Sequence, residues 1–214
     1  MLQFPVYWFN CPPLLKQWLD DVLTYGWAYG SKATGLRGKK AGIAVSLGSP
    51  ADAYRAGGEI GATVAEALRA FADAGGFVLG LCGGYQMMGR RLEDPDLREN
   101  SELRGIDGLG ILPIVTEFRA GVKTTVCVSG ALNPKLNPNP NRNSNTAEAP
   151  IPVEGYEIHF GRTVPDAEAP CKPLFIMEDG RPEGLGTEGL RIAGTYLHGV
   201  FENDRFRGLW LNAL

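Results

Sequence analysis

Histidine is almost absent: His159 and His198 are the only two in 214 residues. A zinc site therefore has few possible ligands, and an imidazole base has two candidates. Cysteine is scarce too. Cys11, Cys82, Cys127 and Cys171 are widely spaced, with no C-x-x-C pair. A domain of this length needs no disulfide staples, so a reducing, cytoplasmic setting is expected, and it keeps a thiolate available. There is no excess of basic charge. The formal net charge is −3, which leaves no electrostatic footprint for nucleic acid and no polybasic patch for a membrane surface. No apolar run is long enough to span a bilayer. The opening MLQFPVYWFN has no charged stretch before its apolar part, so no signal peptide is expected. No G-x-x-x-x-G-K-[ST] motif occurs, which removes a P-loop for ATP. No internal repeat is present, and no metal is expected.

What is present is an ordinary globular composition, with 44% apolar and 21% charged residues. The first half alternates strands and helices. Leu2–Trp8 reads as a buried strand, and Pro12-Pro13 stops it and suits a helix start. Leu14, Leu15, Trp18, Leu19, Val22 and Leu23 then fall at helical spacing. After a glycine-rich connection, Ala41–Ser46 reads as a second strand. Glu59 to Ala74 reads as a helix ended by Gly75-Gly76, and Phe77–Leu81 as a third strand. Such alternation predicts a mostly parallel sheet flanked by helices.

The second half changes character. Ile111–Phe118, Lys123–Val128, Val153–Phe160, Leu174–Met177 and Arg191–Leu197 read as strands separated by turns, an antiparallel extension. A last helix is expected from Asn203 or Asp204, stopping abruptly at the C-terminus. Asn133–Pro150 is rich in Asn, Pro, Ser and Thr and reads as an exposed loop.

Gly80-Leu-Cys-Gly-Gly84 has the form G-x-C-x-G at a strand-to-helix junction. A sharp turn there lifts a nucleophile clear of the sheet, and small neighbours admit substrate. The free N–H groups and positive end of the following helix favour a thiolate, then an oxyanion. The plainer alternative is that Cys82 is a small buried apolar residue. A thiol nucleophile needs a base. His198 stands at the end of a strand, where α/β sheets carry catalytic side chains. His159 lies in Gly155-Tyr-Glu-Ile-His-Phe-Gly-Arg-Thr163, where alternation puts Glu157 and His159 on one face. Composition alone does not rank the two.

Four segments resemble the amidotransferase domain of cobyric acid synthases, which amidate carboxylates of the corrin ring. They are Phe77-Val-Leu-Gly-Leu-Cys-Gly-Gly-Tyr-Gln-Met-Met-Gly89, Gly108-Leu-Gly-Ile-Leu-Pro113, Gly155 to Thr163, and Gly194-Thr-Tyr-Leu-His-Gly-Val-Phe-Glu-Asn-Asp204. They occur in that family's order and cover about residues 58–214. The resemblance implies a flavodoxin-like, class I amidotransferase-like α/β fold. It further implies Cys82 as nucleophile on the side-chain amide of glutamine and His198 as proton shuttle. Gln86 becomes a glutamine-binding residue, and the Gly83 N–H half of an oxyanion hole. Related enzymes carry a glutamate two residues after the histidine. Val200 stands there, which leaves Glu157 and Glu202 as candidates to orient His198, with His159 as a further substrate candidate. Arg162 and Thr163 bind substrate or pack. The resemblance implies a partner as well: an ATP-dependent synthetase domain or subunit supplying the corrinoid acceptor.

The first 57 residues resemble a different family. Phe4-Pro-Val-Tyr-Trp-Phe-Asn-Cys-Pro-Pro-Leu-Leu-Lys-Gln-Trp-Leu-Asp20, Tyr25-Gly-Trp-Ala-Tyr-Gly30, Gly38-Lys-Lys40 and Ala53-Tyr-Arg-Ala-Gly-Gly58 are similar to flavodoxin-like NAD(P)H quinone reductases. That likeness implies FAD or FMN against Tyr7, Trp8 and Phe9. The match begins in mid-fold, without that family's first strand and flavin-phosphate loop. The expected organisation is therefore one α/β domain built as a hybrid, 1–57 flavodoxin-like and 58–214 amidotransferase-like. Gly48 would then supply the second oxyanion N–H. A catalytically inert chimeric scaffold is the remaining alternative.

Overall fold

The structure is a computed structural model, which describes residues 2–5, 13–28, 31–36, 43–46, 61–98, 103–119, 125–137, 150–166 and 170–213. The chain divides into two compact units, Met1–Pro50 and Ala51–Leu214.

In the first unit, β1 (Leu2–Pro5) and β2 (Ile43–Ser46) pair in parallel, Leu2 opposite Ile43 and Pro5 opposite Ser46. Between them lies α1 (Pro13–Val22). Pro13 opens the helix where its missing N–H would have no intrahelical acceptor. The strand–helix–strand order and the parallel pairing are those expected from the alternating pattern. After α1 the chain turns at Gly26, whose φ is +85°. Gly35 donates its N–H to Trp27 O at 2.8 Å, and a Cβ on Gly35 would come within 2.4 Å of the Trp27 indole. A larger residue than glycine has no room there.

The first described element of the second unit is α2 (Gly61–Asp73), which ends as its glycines predict. Gly75 is left-handed at φ +95°. Gly76 N–H donates to Phe71 O and Gly75 N–H to Ala72 O, the pair of hydrogen bonds that closes such helix ends. Then come β3 (Val78–Leu81) and the short helix α3 (Gly83–Met87). From there to the last helix, α4 (Asp204–Ala213), no α-helix occurs among the described residues. The strands are β4 (Arg91–Glu93), β5 (Gly105–Asp107), β6 (Ile114–Glu117), β7 (Val126–Leu132), β8 (Pro152–Glu157), β9 (Arg162–Pro165) and β10 (Phe175–Met177). They continue with β11 (Pro182–Glu183), β12 (Leu185–Gly186), β13 (Ile192–Thr195) and β14 (Leu197–His198).

These form sheets in the orders β11-β10-β7-β8-β14, β12-β13-β3 and β5-β4-β6-β9. The expectation of a mostly parallel sheet is corrected here. Among the described residues only β1/β2, β3/β13 and β4/β6 pair in parallel; the other pairs are antiparallel. Short connections return the chain antiparallel in β10/β11 and β12/β13, while β6/β9, β7/β10 and β8/β14 bring together strands distant in sequence. The fold is mixed α/β.

Two apolar clusters hold this unit. In one, Phe206 and Trp210 of α4 pack with Phe77, Leu132, Val153, Phe175 and Leu197. In the other, Tyr85 of α3 and Met88 just after it pack with Val78, Leu112, Ile114, Leu185 and Tyr196. The expected strand Arg191–Leu197 is broken in two. β13 belongs with β3, β14 belongs with β8, and the chain crosses between sheets at Tyr196.

Candidate functional site

Cys82 stands between β3 and α3 at φ 51° and ψ −115°, a conformation that non-glycine residues rarely hold. Strain of this kind costs on the order of 1–3 kcal/mol and persists where surrounding structure enforces it. Three features enforce it here. Cys82 N–H donates to Thr195 O at 2.9 Å, and Cys82 O accepts from Gln86 N at 3.1 Å. At Gly80, a Cβ would lie 2.4 Å from Met88 Sδ and 2.9 Å from the Tyr85 backbone, so α3 folds back directly over the end of β3. By contrast, a Cβ on Gly83 or Gly84 would meet nothing within 4 Å. The start of α3 is open on that side.

The thiol of Cys82, which is partly buried, lies 3.7 Å from Ile158 O. Behind it runs a hydrogen-bonded chain. Gln86 Nε2 donates to Phe160 O at 2.8 Å and to Tyr196 Oη at 3.1 Å. Tyr196 Oη is bonded to Thr163 Oγ1, which meets Thr116 Oγ1 at 2.7 Å. Burial pushes the Tyr196 hydroxyl up, against the pull of its Thr163, Gln86 and Thr116 partners, and the nearby Cys82 sulfur adds to the rise. The His159 ring stacks on Tyr196, centroids 3.7 Å apart, and Tyr85 meets Tyr196 edge-on at 5.2 Å. Tyr85 itself lies over Gly194, where a Cβ would come within 2.0 Å of its ring.

His198 sits on β14 directly opposite Tyr156 of β8. Residues opposite one another share a sheet face, and the two rings stack at 5.0 Å and 12°. Among the described residues His198 Nε2 is buried without a hydrogen-bond partner. Glu157 is placed on the other face, opposite Leu197, and its carboxylate pairs with Arg181 at 2.8 Å. It is not brought beside the His198 ring. Glu202 is exposed, in the turn after Gly199. The side-chain nitrogen of Gln86 is already used inside the protein. Arg162 is exposed at the start of β9, while Thr163 packs inward. Gly48, Tyr7, Trp8 and Phe9 lie outside the described residues.

Glu183 carried no expectation from the sequence, yet its carboxylate is almost fully buried, at 5% exposure. It accepts from Thr195 Oγ1 at 2.5 Å and from Tyr196 N at 2.7 Å. Burial pushes the carboxyl up to about 7, with those two hydrogen bonds and Arg181 opposing and Glu157 reinforcing the rise. The available sequence signal was Pro182-Glu-Gly-Leu-Gly186, an acid in a small apolar run followed by glycine. Gly184 has φ +63°, and a Cβ there would be 2.4 Å from Gly194 O.

No group of three or more potential metal ligands occurs among the described residues. No helix there is long and apolar enough to cross a membrane. What the site offers is a strained cysteine at an open strand-to-helix turn, linked by hydrogen bonds to the strand leading to a stacked histidine.

Comparisons with known proteins bear on both units. The flavodoxin-like fold matches residues 1–80. The cobyric acid synthase of Methylobacterium nodulans is 45% identical over 148 residues, covering 69% of this chain and 26% of that protein. That of a Synechococcus species is 39% identical over 152 residues, covering 71% and 27%. The chain thus spans about a quarter of the length of these relatives. Among solved structures, general stress protein 14 of Treponema denticola, in complex with FMN, is 71% identical. It covers 32% of this chain and 40% of its own, with a TM-score of 0.27. The CobB/CobQ-like glutamine amidotransferase domain matches residues 51–206, nearly all of the second unit. With a flavodoxin-like region ahead of it, the chain belongs to the family of CobB/CobQ-like glutamine amidotransferase domains.

Proposed function

We propose that the chain is a glutaminase, releasing ammonia from glutamine through a thioester on Cys82. The observation that carries this reading is the strained Cys82 at the turn into α3, with open space at Gly83 and Gly84. The Cys82 thiolate attacks the side-chain carbonyl carbon of glutamine. Negative charge develops on the oxygen, where the Gly83 N–H is a donor. His198 takes the thiol proton and returns it to the leaving nitrogen, so ammonia departs and a γ-glutamyl thioester remains. Water, deprotonated by His198, attacks the thioester and frees glutamate and the thiol. Gln86 acts from behind, through Phe160 O and Tyr196, holding the backbone beside the thiol.

The ammonia is intended for a corrinoid carboxylate, as the names of the cobyric acid synthases suggest. No ATP site is recognisable in this sequence, so activation of that carboxylate falls to a synthetase domain or subunit. The whole chain is then a hybrid, with its first 57 residues drawn from a flavodoxin-like reductase.

The test is glutamine-dependent ammonia release by wild type beside Cys82→Ala. Loss in the variant supports the reading. A folded wild type without activity overturns it in favour of an inert hybrid. A second reading, flavin binding, is favoured by the flavodoxin-like match over residues 1–80. Flavin absorbance of the purified chain decides it.

A further inference from the structure

We propose that Glu183 is the positioning residue of this site, pinning the crossing from β13 to β14 so that Cys82 and His198 are held from one point. The inference rests on the glutaminase reading above for its catalytic consequence, and on geometry alone for the pinning.

Thr195 is the shared element. Its carbonyl accepts the Cys82 N–H at 2.9 Å, fixing the elbow. Its hydroxyl donates to Glu183 Oε2 at 2.5 Å and accepts the Leu197 N–H at 3.0 Å. Glu183 Oε1 takes the next amide, Tyr196 N–H, at 2.7 Å. One carboxylate thus engages two consecutive residues just where the chain leaves the β12-β13-β3 sheet for the sheet containing β14. Backbone groups at such a crossing lose their ladder partners, and buried amides need replacements. Glu183 supplies one directly and another through Thr195. His198 follows one residue after Leu197, so the bend angle sets where its ring lies.

Neither carboxylate expected to orient His198 is hydrogen-bonded to its Nε2 among the described residues. Glu157 is held by Arg181 on the opposite sheet face, and Glu202 is exposed. The ring is stacked on Tyr156 instead. Its placement is then a matter of backbone, and Glu183 governs that backbone. Gly184 completes the device, since only glycine lets the β11–β12 turn approach Gly194 O closely enough to bring Glu183 beneath Thr195.

The test uses the full chain and the variants Glu183→Gln, Thr195→Val, Thr195→Ser and Cys82→Ala. Glu183→Gln keeps the shape but offers one acceptor oxygen in place of two. Its kcat is expected to fall about tenfold or more, with KM for glutamine unchanged within about twofold, the pattern of lost alignment. Thr195→Val should lose more than Thr195→Ser, which keeps the hydroxyl. Amide hydrogen exchange supplies the readout a general stabilising role would not move. In Glu183→Gln, protection should drop at Cys82, Tyr196 and Leu197 and persist along β7 and β8. Wild-type kcat in Glu183→Gln, beside a dead Cys82→Ala, overturns the proposal. So does protection lost evenly across the unit, or equal losses for the two Thr195 variants. If wild type and Cys82→Ala release ammonia equally, the glutaminase reading falls, and the exchange pattern alone upholds or overturns the pinning.

Discussion

The backbone N–H of Cys82 is hydrogen-bonded to the carbonyl of Thr195 at 2.9 Å, three residues before His198. The elbow and the strand leading to the histidine are therefore parts of one hydrogen-bonded structure, although Thr195 lies 113 positions after Cys82 in sequence.

The strain at Cys82 has a direct consequence. Glycine occupies φ 51° freely, whereas alanine retains the clash. Cys82→Gly should exceed Cys82→Ala in stability by about 1 kcal/mol, with both inactive. Urea unfolding of the two variants side by side measures the difference. Equal stabilities would mean that the turn stores no strain.

Stability should depend on pH through Glu183. Its carboxyl titrates at about 7 in the fold and at the ordinary 4.5 when unfolded. Between those values the unfolded chain has released this proton while the folded chain retains it. The group's contribution is thus fully present below the unfolded value, declines as pH rises toward 7, and is level above. The span corresponds to about 3 kcal/mol. Glu157 and Arg181 face the carboxyl on one side, and the Tyr85 hydroxyl, itself pushed up by burial, also senses it. The stability of wild type minus that of Glu183→Gln, compared at about pH 5 and about pH 8, isolates the effect.

Tyr156 should matter through its ring. An aromatic pair contributes about 0.5–1.5 kcal/mol beyond area burial, so Tyr156→Ala should lower kcat by about three- to tenfold. Tyr156→Phe keeps the stack on His198 and should retain most of the activity. Steady-state rates of both variants check this, and equal losses would point to the hydroxyl instead.

Glu157 offers the opposite case. Paired with Arg181 across the sheet from His198, it should tolerate substitution by glutamine with less than about a twofold change in kcat. A large loss with the fold intact would return it to the role of orienting carboxylate.

Gly194→Ala should be severe, because the new methyl enters the Tyr85 ring. A destabilisation of about 1–3 kcal/mol or more is expected from overpacking, read as a lower Tm.

Local pattern carried much of this molecule. The strand–helix–strand alternation pointed to the parallel β1/β2 pair. The Schellman-type end of α2 at Gly75-Gly76 and Pro13 at the start of α1 follow from residues close in sequence. So does the strand–turn–helix around Cys82, since G-x-C-x-G encodes its own tight turn. The scarcity of histidine left two candidates for a base before any fold was known. The break of Arg191–Leu197 at Tyr196 was not legible, because an unbroken apolar run reads as one strand. What divides it is Glu183, reaching in from a separate turn. The orientation of Glu157 away from His198 was equally hidden, since it depends on which residue of β14 faces which residue of β8. The mainly antiparallel pairing among the described residues was hidden too, because β6/β9, β7/β10 and β8/β14 join strands that no local spacing relates. Sequence by itself determined the chemistry available, a cysteine on a glycine-flanked turn and a histidine at a strand end. Only the tertiary structure decided what holds them, because hydrogen bonds such as Glu183 to Thr195 and Cys82 to Thr195 join residues that no local spacing relates.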